Sequence, residues 1–253
     1  MQQQRLCAAA LCLLGASLSL SAAASDLSIG ATAYVNFAAY KDYDPSYYPL
    51  PIIKYETEHF YVDGITGGVK LFSNDHHEVR LGIGWMPAYF KASHSDDDQV
   101  KRLDDRDTSM VAVASYAFKT ENFGRFDFAV AADTLSKSEG VFAMASYSYP
   151  HNIGWGTTII PRVSLMLSDS NFNDYYYGVS RKEACRSGLE QYDADASLTP
   201  SFHLAVRKEI DQNWAVHGGV DLRILPSEIK DSPMADGRST SWGIGVGVDY
   251  TFH

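Results

Sequence analysis

The end of the chain alternates without a break. Trp242, Ile244, Val246, Val248, Tyr250 and Phe252 fall on even positions, and Ser241, Gly243, Gly245, Gly247, Asp249 and Thr251 on odd ones. A period of two puts the first set on one face of a strand and the second on the other, whereas a helix would spread both around its circumference. The pattern returns upstream: Trp214, Val216, Val220, Leu222 and Ile224 oppose His217, Gly219, Asp221 and Arg223, and Phe202, Leu204, Val206 and Ile210 oppose Ser201, His203, Arg207 and Glu209. It recurs around residues 27–37, 79–85 and 126–133. Several such segments run to about 12 to 16 residues, beyond the five or six of an ordinary strand and the 9 to 11 that a tilted strand needs to cross a membrane.

The breaks between them are uneven. Short polar ones fall at residues 74–77, 119–122, 150–153 and 211–213; longer ones at 41–51, 91–106, 169–191 and 227–237, with a tight one near 136–139. Short and long connections mostly alternate, as in barrels with short periplasmic turns and longer outer loops. The count gives about ten strands with both chain ends periplasmic. Between residues 52 and 72 the apolar parity shifts, from Ile53 and Tyr55 to Phe60 and Val62 and back to Val69 and Leu71. A bulge near Gly64 keeps the count at ten, the reading favoured by the spacing; a tight hairpin there makes twelve.

Charge sharpens this picture. Lys54, Glu56, Arg80, Asp127, Asp133, Arg162, Arg207, Glu209, Asp221, Arg223 and Asp249 share the parity opposite the apolar residues. In hydrocarbon every backbone polar group needs an internal partner, so spanning strands must close on themselves, and a charge turned to lipid costs up to a few kcal/mol. The sequence therefore predicts an all-β fold, an antiparallel transmembrane β-barrel of the outer-membrane type, apolar outside and charged within. A soluble sandwich or lipocalin-like barrel is the competing fold. Aromatic content of 13%, led by 16 tyrosines, suits interfacial girdles. The net charge of −10 argues against a nucleic-acid partner, which needs a basic footprint.

The first residues form a separate segment. Arg5, an apolar stretch over residues 6–20 and the small residues Ala22, Ala23 and Ala24 read as a secretory signal over residues 1–24, leaving one barrel domain over 25–253. Cys7 and Cys12 follow Leu6 and Leu11 rather than the small residue that a lipoprotein signal needs. Cys185 is then the sole mature cysteine, without a disulfide framework.

Candidate chemistry is sparse. His94, Asp96, Asp97, Asp98, Asp104, Asp105 and Asp107 crowd one outer loop and include acid/base residue types. A solvated loop accounts for them as well, and no EF-hand spacing is present. His76 and His77 are adjacent, so an extended backbone points them apart. No Gly-x-Ser-x-Gly elbow appears. No cofactor, metal site or catalytic residue is expected. The stretch over residues 175–192 is too long for a plain connection, and such loops are usually functional or disordered. It is expected to be a constriction, a contact surface or a plug, with Arg181 or Arg186 pairing to an acid in the lumen.

Two groups of residues carry a family likeness. The last strand matches the assembly signal Gly-x-x-aromatic-x-aromatic of outer-membrane barrels through Gly247, Tyr250 and Phe252, although His253 follows the final aromatic. More specifically, Tyr176-Tyr177-Gly178-Val179-Ser180, Glu183-Ala184, Ser187-Gly188-Leu189 and Tyr192, with Asp231-Ser232-Pro233 later, resemble the MipA/OmpV family. So do Leu50-Pro51-Ile52-Ile53-Lys54-Tyr55, Phe60-Tyr61-Val62-Asp63-Gly64 and Gly68-Val69. The likeness covers nearly all of the mature chain, strongest in the last third and loosest between residues 90 and 150. It implies an outer-membrane location in a Gram-negative bacterium. It also implies kinship with a scaffold that joins a lytic murein transglycosylase to a murein synthase, and with members described as porin-like or adhesive.

The functional expectation is accordingly a non-enzymatic scaffold in contact with outer-membrane lipid and lipopolysaccharide. Murein enzymes are its expected protein partners. Arg181, Arg186 and Tyr176, with Tyr177, Gly178, Glu183, Ser187, Tyr192 and Asp231, are the candidate plug or contact residues. A narrow channel for small solutes and a surface adhesin are the alternatives.

Overall fold

The computed structural model describes residues 27–120 and 122–253; the signal segment expected over residues 1–24 lies outside the described residues. Strands β1 (Leu27–Phe37), β2 (Ser46–Glu56), β3 (Phe60–Asp63), β4 (Thr66–Ser73), β5 (His77–Met86), β6 (Ser109–Thr120) and β7 (Gly124–Asp133) follow in order. They continue as β8 (Val141–Ser148), β9 (His151–Gly154), β10 (Thr157–Ser168), β11 (Ser197–Glu209), β12 (Trp214–Ile224) and β13 (Thr240–Phe252). Consecutive strands pair antiparallel, except that β8 pairs with β10 rather than β9; β13 returns to β1, and the sheet closes. The short β9 folds back on β10 beyond the end of β8, so twelve strands form the wall.

The favoured count of ten is thereby corrected. Residues 52–72 contain a hairpin, not a bulge: Asp63 pairs with Thr66 around Gly64 and Ile65, with Gly64 at φ +60°. The parity shift marks the turn from β3 into β4. A second correction concerns the break expected over residues 41–51. The strand already starts at Ser46 and contains Pro49 and Pro51, residues that the sequence alone assigns to a loop. Wall strands run to 13 residues at most, shorter than the longest alternating runs suggested, because those runs continue into the turns.

The register is the expected one. Trp242, Ile244, Val246 and Val248 lie on the exposed outer face, and Asp221 and Asp249 are buried within. Inward glycines make room for large side chains. A Cβ at Gly243 would meet the Tyr34 ring, and one at Gly247 the His217 imidazole. Most of the tight turns lie at one rim, where Leu27, the first described residue, pairs with Phe252; the long connections crowd the other, which is the outer rim of such barrels. Among the described residues no helix is long and apolar enough to cross a membrane.

Candidate functional site: a plugged outer mouth

The long connections do not stand out into solvent. Helices α1 (Ser170–Tyr177), α2 (Arg181–Ser187) and α3 (Ser227–Lys230) fold into the mouth with the segment that joins β5 to β6. Local chemistry sets the helix ends. The Asp169 carboxylate caps α1 by accepting from the Phe172 amide. Ser180 and Glu183 form a reciprocal capping box on α2, and Gly188 ends it in the left-handed region at φ +80°.

Two apolar clusters fasten the plug. Phe172 and Tyr176 of α1 pack against Met86, Val111, Val113, Ala131 and Phe142 on the inner wall. Above them Tyr40, Phe90, Val100, Leu103, Val179 and Met234 form a second core drawn from four connections. Deeply buried Asn173 donates to the Asp195 carbonyl at 2.6 Å and to Ser197 Oγ at 2.9 Å, tying α1 to the start of β11.

Arg106 is the polar centre. Its guanidinium donates to Glu183 Oε1 at 2.9 Å and to the carbonyls of Tyr175 at 2.5 Å, Asp104 at 2.8 Å and Gly178 at 3.3 Å. Both members of the ion pair are buried, a geometry in which removing one partner strands a charge. Burial pushes the Glu183 carboxyl up, but the Asp104 amide, the Ser180 hydroxyl and amide, and Arg106 outweigh it. The net position is below the usual glutamate range.

The expected residues separate clearly. Tyr176 is buried, its hydroxyl donating to the Asp107 carbonyl at 3.3 Å. Tyr177 stacks on Tyr40, and its carbonyl accepts from Ser232 Oγ at 2.5 Å. Gly178 leaves no space for a Cβ beside Asp174. Ser187 is buried, and Tyr192 exchanges backbone hydrogen bonds with Val179. Arg181 and Asp231 are exposed instead. Arg186 reaches Asp104 at 2.9 Å, an acid of the plug and half exposed, rather than an acid of the wall. The expected arginine-to-lumen pairing is thus inverted: the loop supplies the acid, Glu183, and the β5–β6 connection supplies the base. Arg106, among seven acids and histidines that drew more notice, carries no sequence signal for this role.

The acid-rich loop is structural in detail. Asp97 pairs with Lys41 at 2.6 Å and caps the turn at Gln99 and Val100, while Lys91 joins Asp105 and Asp107, each at 3.1 Å. Among the described residues no three His, Cys, Asp or Glu side chains converge as a metal site would require. His77 bonds Tyr116, His76 bonds the Lys119 carbonyl, and Cys185 is a free, exposed thiol.

Beneath the plug, cross-strand ion pairs line the lumen. Arg207 holds Asp249 in two bonds of 2.7 Å, with His217 at 3.2 Å. The Tyr34 hydroxyl donates to Asp221, and Arg223 donates to Asn36 at 2.7 Å. On the facing wall Arg80 joins Glu56 at 2.5 Å and Glu78 at 2.9 Å, with Lys70 on Glu56 and Lys119 on Glu78. Among the described residues two cavities remain in the lumen, about 120 Å³ under α1 and α3 and about 160 Å³ below, both touching His203 and Asp221.

A closed antiparallel barrel with an apolar outer face, a charged lumen, tight turns at one rim and folded loops at the other defines an outer-membrane protein. The chain belongs to the family described as MltA-interacting protein MipA, whose model matches residues 29–252. It is 37% identical to the MltA-interacting protein of Escherichia coli (strain K12), over 95% of this chain and 96% of that one. It is 36% identical to the putative outer membrane protein YiaT of the same strain, over 92% and 93%. With the outer membrane protein OmpV of Vibrio cholerae it shares 24% identity over 84% and 81%.

Proposed function

We propose that this barrel is a non-catalytic scaffold that anchors a lytic murein transglycosylase, and with it a murein synthase, to the outer membrane. The partner meets the rim of tight turns, and the outer rim contacts lipopolysaccharide. The observation that carries the reading is the outer mouth closed by a packed plug around Arg106 and Glu183. A barrel so filled has its accessible protein surface for a periplasmic enzyme at the other end. The name of the relative in E. coli, MltA-interacting protein, supports the choice of partner.

Twelve strands enclose more space than the eight-stranded case that side chains alone can fill. The plug is the physical answer to that extra width. The two lumen cavities favour one second reading, a narrow small-solute channel whose plug moves aside.

Capture of a lytic murein transglycosylase on the detergent-solubilised barrel tests the scaffold. Saturable retention is expected, weakened by Trp155→Ala in the β9–β10 turn, where this tryptophan is 94% exposed. Absence of retention by the intact barrel refutes the scaffold reading.

A further inference from the structure

The wall is not hydrogen-bonded all the way round. On β2 the Ile53 carbonyl accepts from the Gly64 amide and the Thr57 amide donates to the Phe60 carbonyl, so odd residues of β2 turn their backbone groups toward β3. β3 reaches only from Glu56 up to Lys54 before the chain turns at Gly64. Above that point residues 46–52 have β1 on one side, and among the described residues no strand pairs with them on the other. The odd residues on this open edge are Tyr47, Pro49 and Pro51.

Two of those three have no amide hydrogen to leave unpaired. An open sheet edge is not tolerated in hydrocarbon unless it lines a cavity, because each orphan donor costs several kcal/mol. Pro49 and Pro51 lie in register with Ala33 and Ala31, which face Val246 and Val248 on β13. The edge therefore runs through the lipid-facing band. Side chains close its upper part, where Trp85 and Tyr89 pack against Tyr48 and Leu50.

The lower part opens on the lower of the two cavities, of about 160 Å³, and both lips line it: Leu50, Pro51 and Ile52 from β2, and Gly64 and Ile65 from the hairpin. Lys54 and Asp63 also line it, directly opposite each other in the β2–β3 pair. Among the described residues neither side chain makes a hydrogen bond or a close ion pair, although the two charges attract each other across the strand pair, unlike the directly bonded Arg207 and Asp249 across the chamber. An apolar mouth on the membrane side thus leads to an unbridged cation and anion set side by side.

We infer that the seam between β2 and the β3–β4 hairpin is a lateral portal from the membrane, and that the chamber behind it binds a single-chain zwitterionic lipid. The acyl chain lies along Leu50, Ile52 and Ile65. The phosphate meets Lys54 and the ammonium meets Asp63.

Two measurements test this on the mature, refolded chain. In amphipol, titration calorimetry with 1-dodecanoyl lysophosphatidylethanolamine should show saturable binding of one lipid per barrel. Lys54→Met and Asp63→Asn should each weaken it at least tenfold, while heat-modifiable migration shows that both variants fold. Binding that fails to saturate, or that both variants retain unchanged, overturns the assignment of the site. For the portal, a nitroxide at Ile52→Cys in a Cys185→Ser background should collide with oxygen more than with a water-soluble nickel chelate in lipid bilayers. A label at Ala205→Cys, inside a fully paired wall, should show the reverse. The same water-dominated result at both positions refutes a lateral opening.

Discussion

The barrel closes itself in two ways. From β10 through β13 to β1 the wall is a continuous ladder, 12 residues deep between β10 and β11 and 11 between β13 and β1. There the backbone does the sealing, and side chains need only sort themselves by polarity. At the outer mouth and along the upper edge of β2 the ladder is absent, and side chains do the sealing: Arg106 with Glu183, Phe172 and Tyr176 on the wall, and Trp85 and Tyr89 on Tyr48. Backbone closure tolerates many sequences of the right alternation. Side-chain closure depends on particular residues, and a single substitution can release it.

Arg106→Ala breaks the plug most severely. It leaves Glu183 as a buried, unpaired charge, and such losses cost about 3–5 kcal/mol. Limited proteolysis should then cut within residues 169–192, while heat-modifiable migration shows the ladder intact. On the other side of the comparison, Val246→Arg places a charge on the lipid face and should cost about 2–4 kcal/mol, read from urea titration of folding into vesicles. Here the whole barrel should be affected, with no selective cutting of the plug.

Pro51→Ala sharpens the contrast further. On the open edge it introduces an orphan amide and should cost about 1–3 kcal/mol by the same titration. No loss of stability would mean that the β2 edge is already paired. The smallest effect is that of pH on the plug. Because the Glu183 carboxyl is held below its ordinary range, its stabilisation is complete above about pH 4.3, the unfolded glutamate value. It fades as pH falls through the lower folded value. Protease resistance of the plug should therefore decline only in acid, and Glu183→Gln should show the weakened state already at neutral pH.

The same division decides what was legible in the sequence. Trp242 to Phe252 reads as a strand, with the correct face outward, because lipid and lumen impose opposite polarities on alternate residues. The hairpin at Gly64 was visible only as a parity shift, since a two-residue turn and a bulge disturb alternation alike. Pro49 and Pro51 hid the start of β2, because proline is excluded from a paired strand but not from an open edge, and openness is a property of the neighbours. Within the plug, the aromatic stretch from Tyr175 onward pointed equally to a constriction, a contact surface or a plug. Arg106 did not stand out, because its partners come from residues 104, 175, 178 and 183, brought together only by folding.

Planar-bilayer conductance of the intact barrel beside a variant shortened within residues 175–192 is the most direct test of the central claim, that this is a plugged scaffold rather than a channel. Near-zero conductance from the intact protein, rising when the loop is shortened, is the predicted result. Robust, ion-selective conductance from the untouched protein, little changed by the deletion, would contradict it.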